Sequence, residues 1–172
     1  MHLSLNDKAL TPRVREDSSN LSRCTMKLVY AREPVTSSIF LAGPTPRDAG
    51  VASWRPEAIK LLEKHEFDGT VFIPEDRSGE AKFNYDDQVY WEWLALETSS
   101  AILFWVPRNM ENMPAMTTNV EFGMYAMRGR CALGYPKDAP KMPYLRALAE
   151  RFGVPIFNDL EKLVIEAINI AG

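Results

Sequence analysis

The chain has 172 residues, 46% of them hydrophobic and 25% charged, with a net charge of −3. That length suits one domain with a sizeable core, and the composition is ordinary for a globular protein. The slight acidity leaves no basic footprint for nucleic acid or an anionic membrane surface, and no apolar run reaches the roughly 18 residues needed to span a bilayer.

Two cysteines, Cys24 and Cys131, and two histidines, His2 and His65, form no zinc-binding spacing. Cys131 reads as a small hydrophobe opening a buried strand. His65 lies in a surface-type Lys-His-Glu stretch, which disfavours a serine or cysteine hydrolase driven by a histidine base. The first residues lack a basic segment followed by a long apolar one, so a reduced, cytoplasmic protein is expected. Carboxylates are then the candidate reactive groups.

In chain order, residues 1–25 are polar and aperiodic and are expected to be a flexible extension. The folded domain is expected over residues 26–172, and Met26 is an alternative start. Strand character begins at Lys27–Tyr30 and returns at Ser38–Ala42, which runs into the loop Gly43-Pro44-Thr45-Pro46-Arg47. A helix is predicted over Trp54–Lys64, with Pro56 tolerated in its first turn. Thr70–Ile73 is a short buried strand stopped by Pro74. Asp86–Thr98 is helical, with Val89, Trp93 and Leu96 predicted on its inner side. Ala101–Val106 is the most apolar strand, followed by a Met-, Asn- and Pro-rich loop over 108–116. A helix over Thr118–Met127, a strand at Cys131–Tyr135 and a helix over Pro143–Phe152 come next. Val154–Phe157 contains a proline and suits an edge strand, and Leu160–Ile170 closes the chain as an amphipathic helix.

Strands alternating with helices predict an α/β fold: one doubly wound, mostly parallel five-stranded sheet with helices on both faces, flavodoxin- or Rossmann-like. Its ligand crevice should lie beyond the carboxyl ends of the strands, at the switch point. Three loop segments should meet there: Gly43–Arg47, Pro74–Arg77 and Thr117–Glu121.

Glu121 is the leading candidate. A carboxylate in the first turn of a helix after an apolar strand would be held ionised by backbone N–H groups and the helix dipole, as a glycosyl-transfer nucleophile requires. Thr118-Asn119-Val120-Glu121 equally fits a capping box, a purely structural role. Glu92, between Trp91 and Trp93, is a candidate acid whose pKa burial would raise, or else a solvated helix-surface carboxylate. Gly43 permits close backbone approach to a ligand, and Thr45 and Arg47 can donate to a hydroxyl or phosphate; the alternative is a rigid proline turn. Trp91 or Tyr90 would line the crevice or a subunit contact. Tyr125 shares a helix face with Glu121 and either orients the carboxylate or packs. Asn119 is placed for a ligand hydroxyl or for a local bond. Met110, Met113 and Met116 suggest an adaptable apolar wall or a lid, and Glu75-Asp76-Arg77 a self-paired surface cluster.

Three segments together resemble the nucleoside 2-deoxyribosyltransferase family, in its deoxyribosyltransferase-like branch. These are Ile39–Pro44, Glu92 ahead of the central strand, and Thr118-Asn119-Val120-Glu121-Phe122-Gly123-Met124-Tyr125-Ala126. The likeness covers roughly residues 37–160. It implies a retaining mechanism on a (deoxy)nucleoside or its 5′-monophosphate, with Glu121 as nucleophile and Glu92, where the family has Asp, as the acid for the departing base. Phe40 stands where well-known members have a tyrosine that orients the nucleophile; that role is vacant or passes to Tyr125 or Tyr85. Thr117, Thr118 and Asn119 replace family glycines, and Thr117 or Arg47 with Thr45 would hold a phosphate. The resemblance implies no metal, no organic cofactor, and a homodimer or higher homo-oligomer. Two rivals are an N-glycosidase of the same chemistry acting on a dinucleotide such as NAD, and a nucleotide-binding sensor without turnover.

Overall fold

The computed structural model describes residues 27–30, 38–48, 50–75 and 84–172, the first segment by backbone alone. The expected extension over residues 1–25 lies outside the described residues, as do Met26, Cys24, Asp76 and Arg77.

The strands are β1 (Lys27–Tyr30), β2 (Ile39–Ala42), β3 (Thr70–Ile73), β4 (Ala101–Trp105), β5 (Cys131–Gly134) and β6 (Ile156–Phe157). They form one sheet in the order β1-β3-β2-β4-β5-β6, and every pairing is parallel. The doubly wound α/β architecture is the predicted one. Both outer strands, β1 and the two-residue β6, join the sheet, so the described residues carry six strands rather than five.

The helices are α1 (Arg55–Lys64), α2 (Tyr85–Thr98), α3 (Met116–Tyr125), α4 (Pro143–Phe152) and α5 (Leu160–Ala171); a 3-10 turn over Ala126–Arg128 follows α3. Side chains alternate across each strand, which sorts the core into two layers. Phe40, Phe72, Ile102, Phe104 and Leu133 face α2, α3 and α4. Ile39, Leu41, Val71, Leu103 and Ala132 face α1 and α5. Each large apolar side chain removed from water contributes about 1.5–3 kcal/mol of transfer free energy, and both faces of the central strands contribute.

Two local expectations are corrected. In α2 the inward residues are Trp91, Ala95 and Leu96, whereas Trp93 is 55% exposed. The helix is turned this way because Trp91 seats against Phe40 (centroids 6.4 Å) and edge-on to Phe72 (6.3 Å). In α3 the first helical residue is Met116, preceded by Ala115 in the left-handed region at φ 59° with no side-chain cap. Thr118 is therefore already inside the first turn and buried, and Glu121 lies one turn further on. The capping box does not form.

The winding reverses between β2 and β4: the chain goes from β2 outward to β3, then crosses back to β4 and continues through β5 to β6. The helix after β2 packs on one face and the helix after β4 on the other. The carboxyl ends of these two strands therefore mark the switch point of the sheet.

Candidate active site

Gly43 ends β2 with φ 154°, and a Cβ there would lie 2.2 Å from the Trp105 carbonyl oxygen and 2.8 Å from the Trp54 ring. Only glycine lets the β2 loop come this close to the end of β4. The loop is held from beneath by Arg55, which is 1% exposed. Its Nε donates to the Leu41 carbonyl (3.1 Å), its Nη2 to the Gly43 carbonyl (2.8 Å), and its Nη1 to Thr45 Oγ1 (3.1 Å) and Glu75 Oε1 (2.6 Å). Ser53 donates to the same carboxylate at 2.8 Å, and Trp54 fixes the loop further by donating to the Pro44 carbonyl at 3.2 Å. Burial lowers the Arg55 pKa and the Glu75 charge opposes that shift. A guanidinium in such a partnership stays charged.

Arg55 was not singled out by sequence reasoning. An arginine at a helix start reads as a surface residue, and only the fold places it under the glycine loop. Glu75 pairs with Arg55 from α1, while its expected cluster partners Asp76 and Arg77 lie outside the described residues.

Glu92 and Glu121 come from α2 and α3, and both are half-buried. Burial pushes the Glu121 carboxyl up to about 7; the Glu92 charge adds to the rise and the Arg55 charge opposes it. The expected effect of the helix dipole is thus reversed, because the carboxyl sits beyond the first turn where free N–H groups would meet it. Glu92 is also raised, mainly by burial, while the Gln88 amide donating to it at 3.0 Å and the charge of Arg55 pull it down. Both carboxyls are thus biased toward their neutral forms by burial, and the Glu92 charge further disfavours ionisation of Glu121. Arg55 supplies the fixed positive charge felt by both.

The remaining predicted residues divide sharply. Gly43, Thr45 and Glu75 gather around Arg55. Arg47 is exposed, and its backbone N–H donates to the Asn112 carbonyl at 3.1 Å, tying the β2 loop to the 108–116 loop. Thr117 is exposed on the first turn of α3. Phe40, Trp91, Thr118 and Tyr125 are buried in the interior. The Tyr125 hydroxyl donates to Glu97 at 3.1 Å, and burial with that bond raises its pKa to about 12. It therefore does not orient Glu121. Tyr85 is 73% exposed.

Asn119 points elsewhere. Its Oδ1 accepts from Arg108, and both residues line a cavity of about 530 Å³ between the 108–116 loop, α3 and α4. Glu121 and Glu92 are not in its walls. Met110 and Met116 line this space, as an apolar part of its wall. Cys131 opens β5 as expected, buried, its thiol donating to the Tyr125 carbonyl at 3.2 Å and pushed up to about 12 by burial.

Two half-buried carboxyls with raised pKa values, Glu92 and Glu121, make this part of a parallel doubly wound domain the candidate site. The model of one protein family, nucleoside 2-deoxyribosyltransferase like, matches residues 36–139. The match covers more than half of the chain and includes Gly43, Arg55, Glu92 and Glu121, so the chain belongs to the nucleoside 2-deoxyribosyltransferase-like family. No curated protein matches it. Among the described residues no helix is long and apolar enough to cross a membrane.

Proposed function

We propose that the chain cleaves or exchanges the N-glycosidic bond of a (deoxy)nucleoside or nucleoside 5′-monophosphate, with Glu121 as nucleophile and Glu92 as acid. The observation that carries this reading is the electrostatic coupling of two half-buried carboxyls from adjacent helices. Membership of the family supports the substrate class.

In the first step the ionised Glu121 carboxylate attacks the anomeric carbon. The carbon–nitrogen bond breaks, and the base leaves with the proton held by Glu92. The product is a glycosyl ester on Glu121. In the second step the Glu92 carboxylate takes a proton from water, or from the N–H of an acceptor base, as that nucleophile attacks the same carbon and frees Glu121. Water gives hydrolysis and a base gives transfer. Glu92 serves both steps, because the acid that gives its proton to the leaving base in the first becomes the base that takes a proton from the second nucleophile. Arg55 keeps a positive charge near the pair and so favours its singly ionised form. Thr45, Arg47 and Thr117 are the groups we assign to a substrate phosphate or hydroxyl.

The test is release of free base, followed by chromatography, from nucleosides, deoxynucleosides, their monophosphates and NAD, each with and without an acceptor base. Release by the wild type and its loss in Glu121→Ala are expected. Equal ligand binding by both proteins without turnover in either would replace this reading with that of a nucleotide sensor.

A further inference from the structure

Arg108 presents a buried charge of a different kind from Arg55. It follows β4, is 6% exposed, and lines the cavity between the 108–116 loop, α3 and α4. Its Nη1 donates to the carbonyls of Lys141 (2.6 Å) and Pro140 (3.5 Å), and its Nη2 to the Asn119 amide oxygen. All of these acceptors are neutral, and Nε is buried with no acceptor. Burial lowers its pKa with no opposing carboxylate, whereas Arg55 has Glu75. A buried guanidinium stays protonated, and its desolvation is unfavourable unless a counter-charge offsets it. Among the described residues none does.

The surroundings favour an anion further. Lys141 adds a second cation at the wall. Met116, the first residue of α3, and Tyr144, the second of α4, also line the space. Apart from Asn119, the rest of the wall is apolar, including Leu145 and Leu148. A volume of about 530 Å³ lies within the range of small-molecule sites.

Neither Glu92 nor Glu121 lines this space. Asn119 and Gly123 line it from one side of α3, and Glu121, two positions from each, is turned about 200° away around the helix.

We propose that the cavity is a second binding site, for an organic anion: a phosphate or carboxylate on a compact apolar or aromatic body, with Arg108 as its counter-cation. The charged end meets Arg108 and Lys141, and the body packs on Leu145, Leu148 and the Tyr144 ring.

The experiment is a titration of the isotope-labelled full chain with phenyl phosphate, benzoate, inorganic phosphate and neutral benzyl alcohol, read by amide shifts at Gly123, Tyr144 and Leu148. Phenyl phosphate or benzoate should bind at least about tenfold more tightly than benzyl alcohol, the increment of a charge-assisted bond. Which of the two binds more tightly identifies the head group, and binding of inorganic phosphate alone would show that the head suffices. Arg108→Gln should weaken binding about tenfold or more. Gly123→Leu should block it while keeping the fold, since nothing lies within 4 Å of a Cβ at Gly123 and leucine favours helix. Glu121→Gln should leave it unchanged. No shift at these amides at millimolar ligand would overturn the proposal, as would equal binding of benzyl alcohol or loss in Glu121→Gln. Base release in the separate assay does not depend on this result.

Discussion

Arg55 Nη1 and Glu75 Oε1 meet at 2.6 Å, and through this pair the loops after β2 and β3 become one structure. The guanidinium is fully enclosed, while the carboxylate retains 22% exposure. Arg55 also holds the carbonyls of Leu41 and Gly43 in place. Removing it therefore leaves several acceptors unpaired at once.

Arg55→Met should destabilise the chain by about 3 kcal/mol or more, because breaking a buried pair strands its partners. The same change removes the cation that holds Glu121 down. In Arg55→Met the Glu121 carboxyl should titrate above 7, and in Arg55→Lys close to its wild-type value, when followed by carbon-detected NMR. Unfolding in urea checks the first expectation. An unmoved Glu121 titration would remove Arg55 from the site.

Activity should follow the protonation of the pair. Glu121 must be ionised to attack and is pushed up to about 7. Log kcat/KM for base release should therefore rise with unit slope as Glu121 ionises, up to about pH 7, and an alkaline limb beyond that marks the pH at which Glu92 loses its proton. In Glu92→Gln the alkaline limb should disappear and the loss should be smaller for substrates with good leaving bases. A profile flat from pH 5 to 8 would argue against Glu121 as nucleophile.

Stability carries the opposite sign. The folded-state pKa of Glu121 is raised above the ordinary carboxyl value of 4.5, so the folded chain binds the extra proton between about 4.5 and 7. The stabilising contribution is complete below 4.5 and is lost as pH rises through 7. The loss is at most about 3 kcal/mol at 1.36 kcal/mol per pKa unit. Glu121→Gln removes this dependence, so it should be more stable than wild type at pH 8 and similar at pH 4.5. Chemical denaturation at the two pH values decides the point. A stabilising substitution that abolishes turnover would mark Glu121 as a residue kept for chemistry.

The end of α1 offers a test of backbone conformation alone. Glu66 N–H donates to the Glu63 carbonyl (3.1 Å) and Phe67 N–H to the Leu62 carbonyl (3.0 Å), the Schellman pattern, with Glu66 at φ 55°. The corresponding residue after α4 is Gly153, at φ 68°. Glu66 is exposed, so Glu66→Gly should stabilise the chain by about 0.5–1 kcal/mol by relieving the left-handed strain. A thermal scan with no rise in Tm would contradict this.

The order of elements was legible in the sequence because period and punctuation are local properties. Pro74 stops β3, Pro56 sits in the first turn of α1, and the apolar run Ala101–Trp105 can only be a strand buried on both faces. Those features determine a parallel α/β sheet, and the Gly43 turn and the carboxylates Glu92 and Glu121 as candidates. The rotation of α2 about its axis was not legible. Three aromatics in Tyr90-Trp91-Glu92-Trp93 leave several inward faces possible, and the choice of Trp91 depends on Phe40 and Phe72 in other segments. The start of α3 was equally hidden, since Ala115 takes a left-handed conformation with no side-chain cap. That shift moved Glu121 out of the first turn, from an expected anion site to a desolvated one. Arg55 and Arg108 depended most on the fold. Desolvation and charge pairing arise between segments distant in sequence, so only the tertiary structure gave one buried arginine its carboxylate and left the other without one.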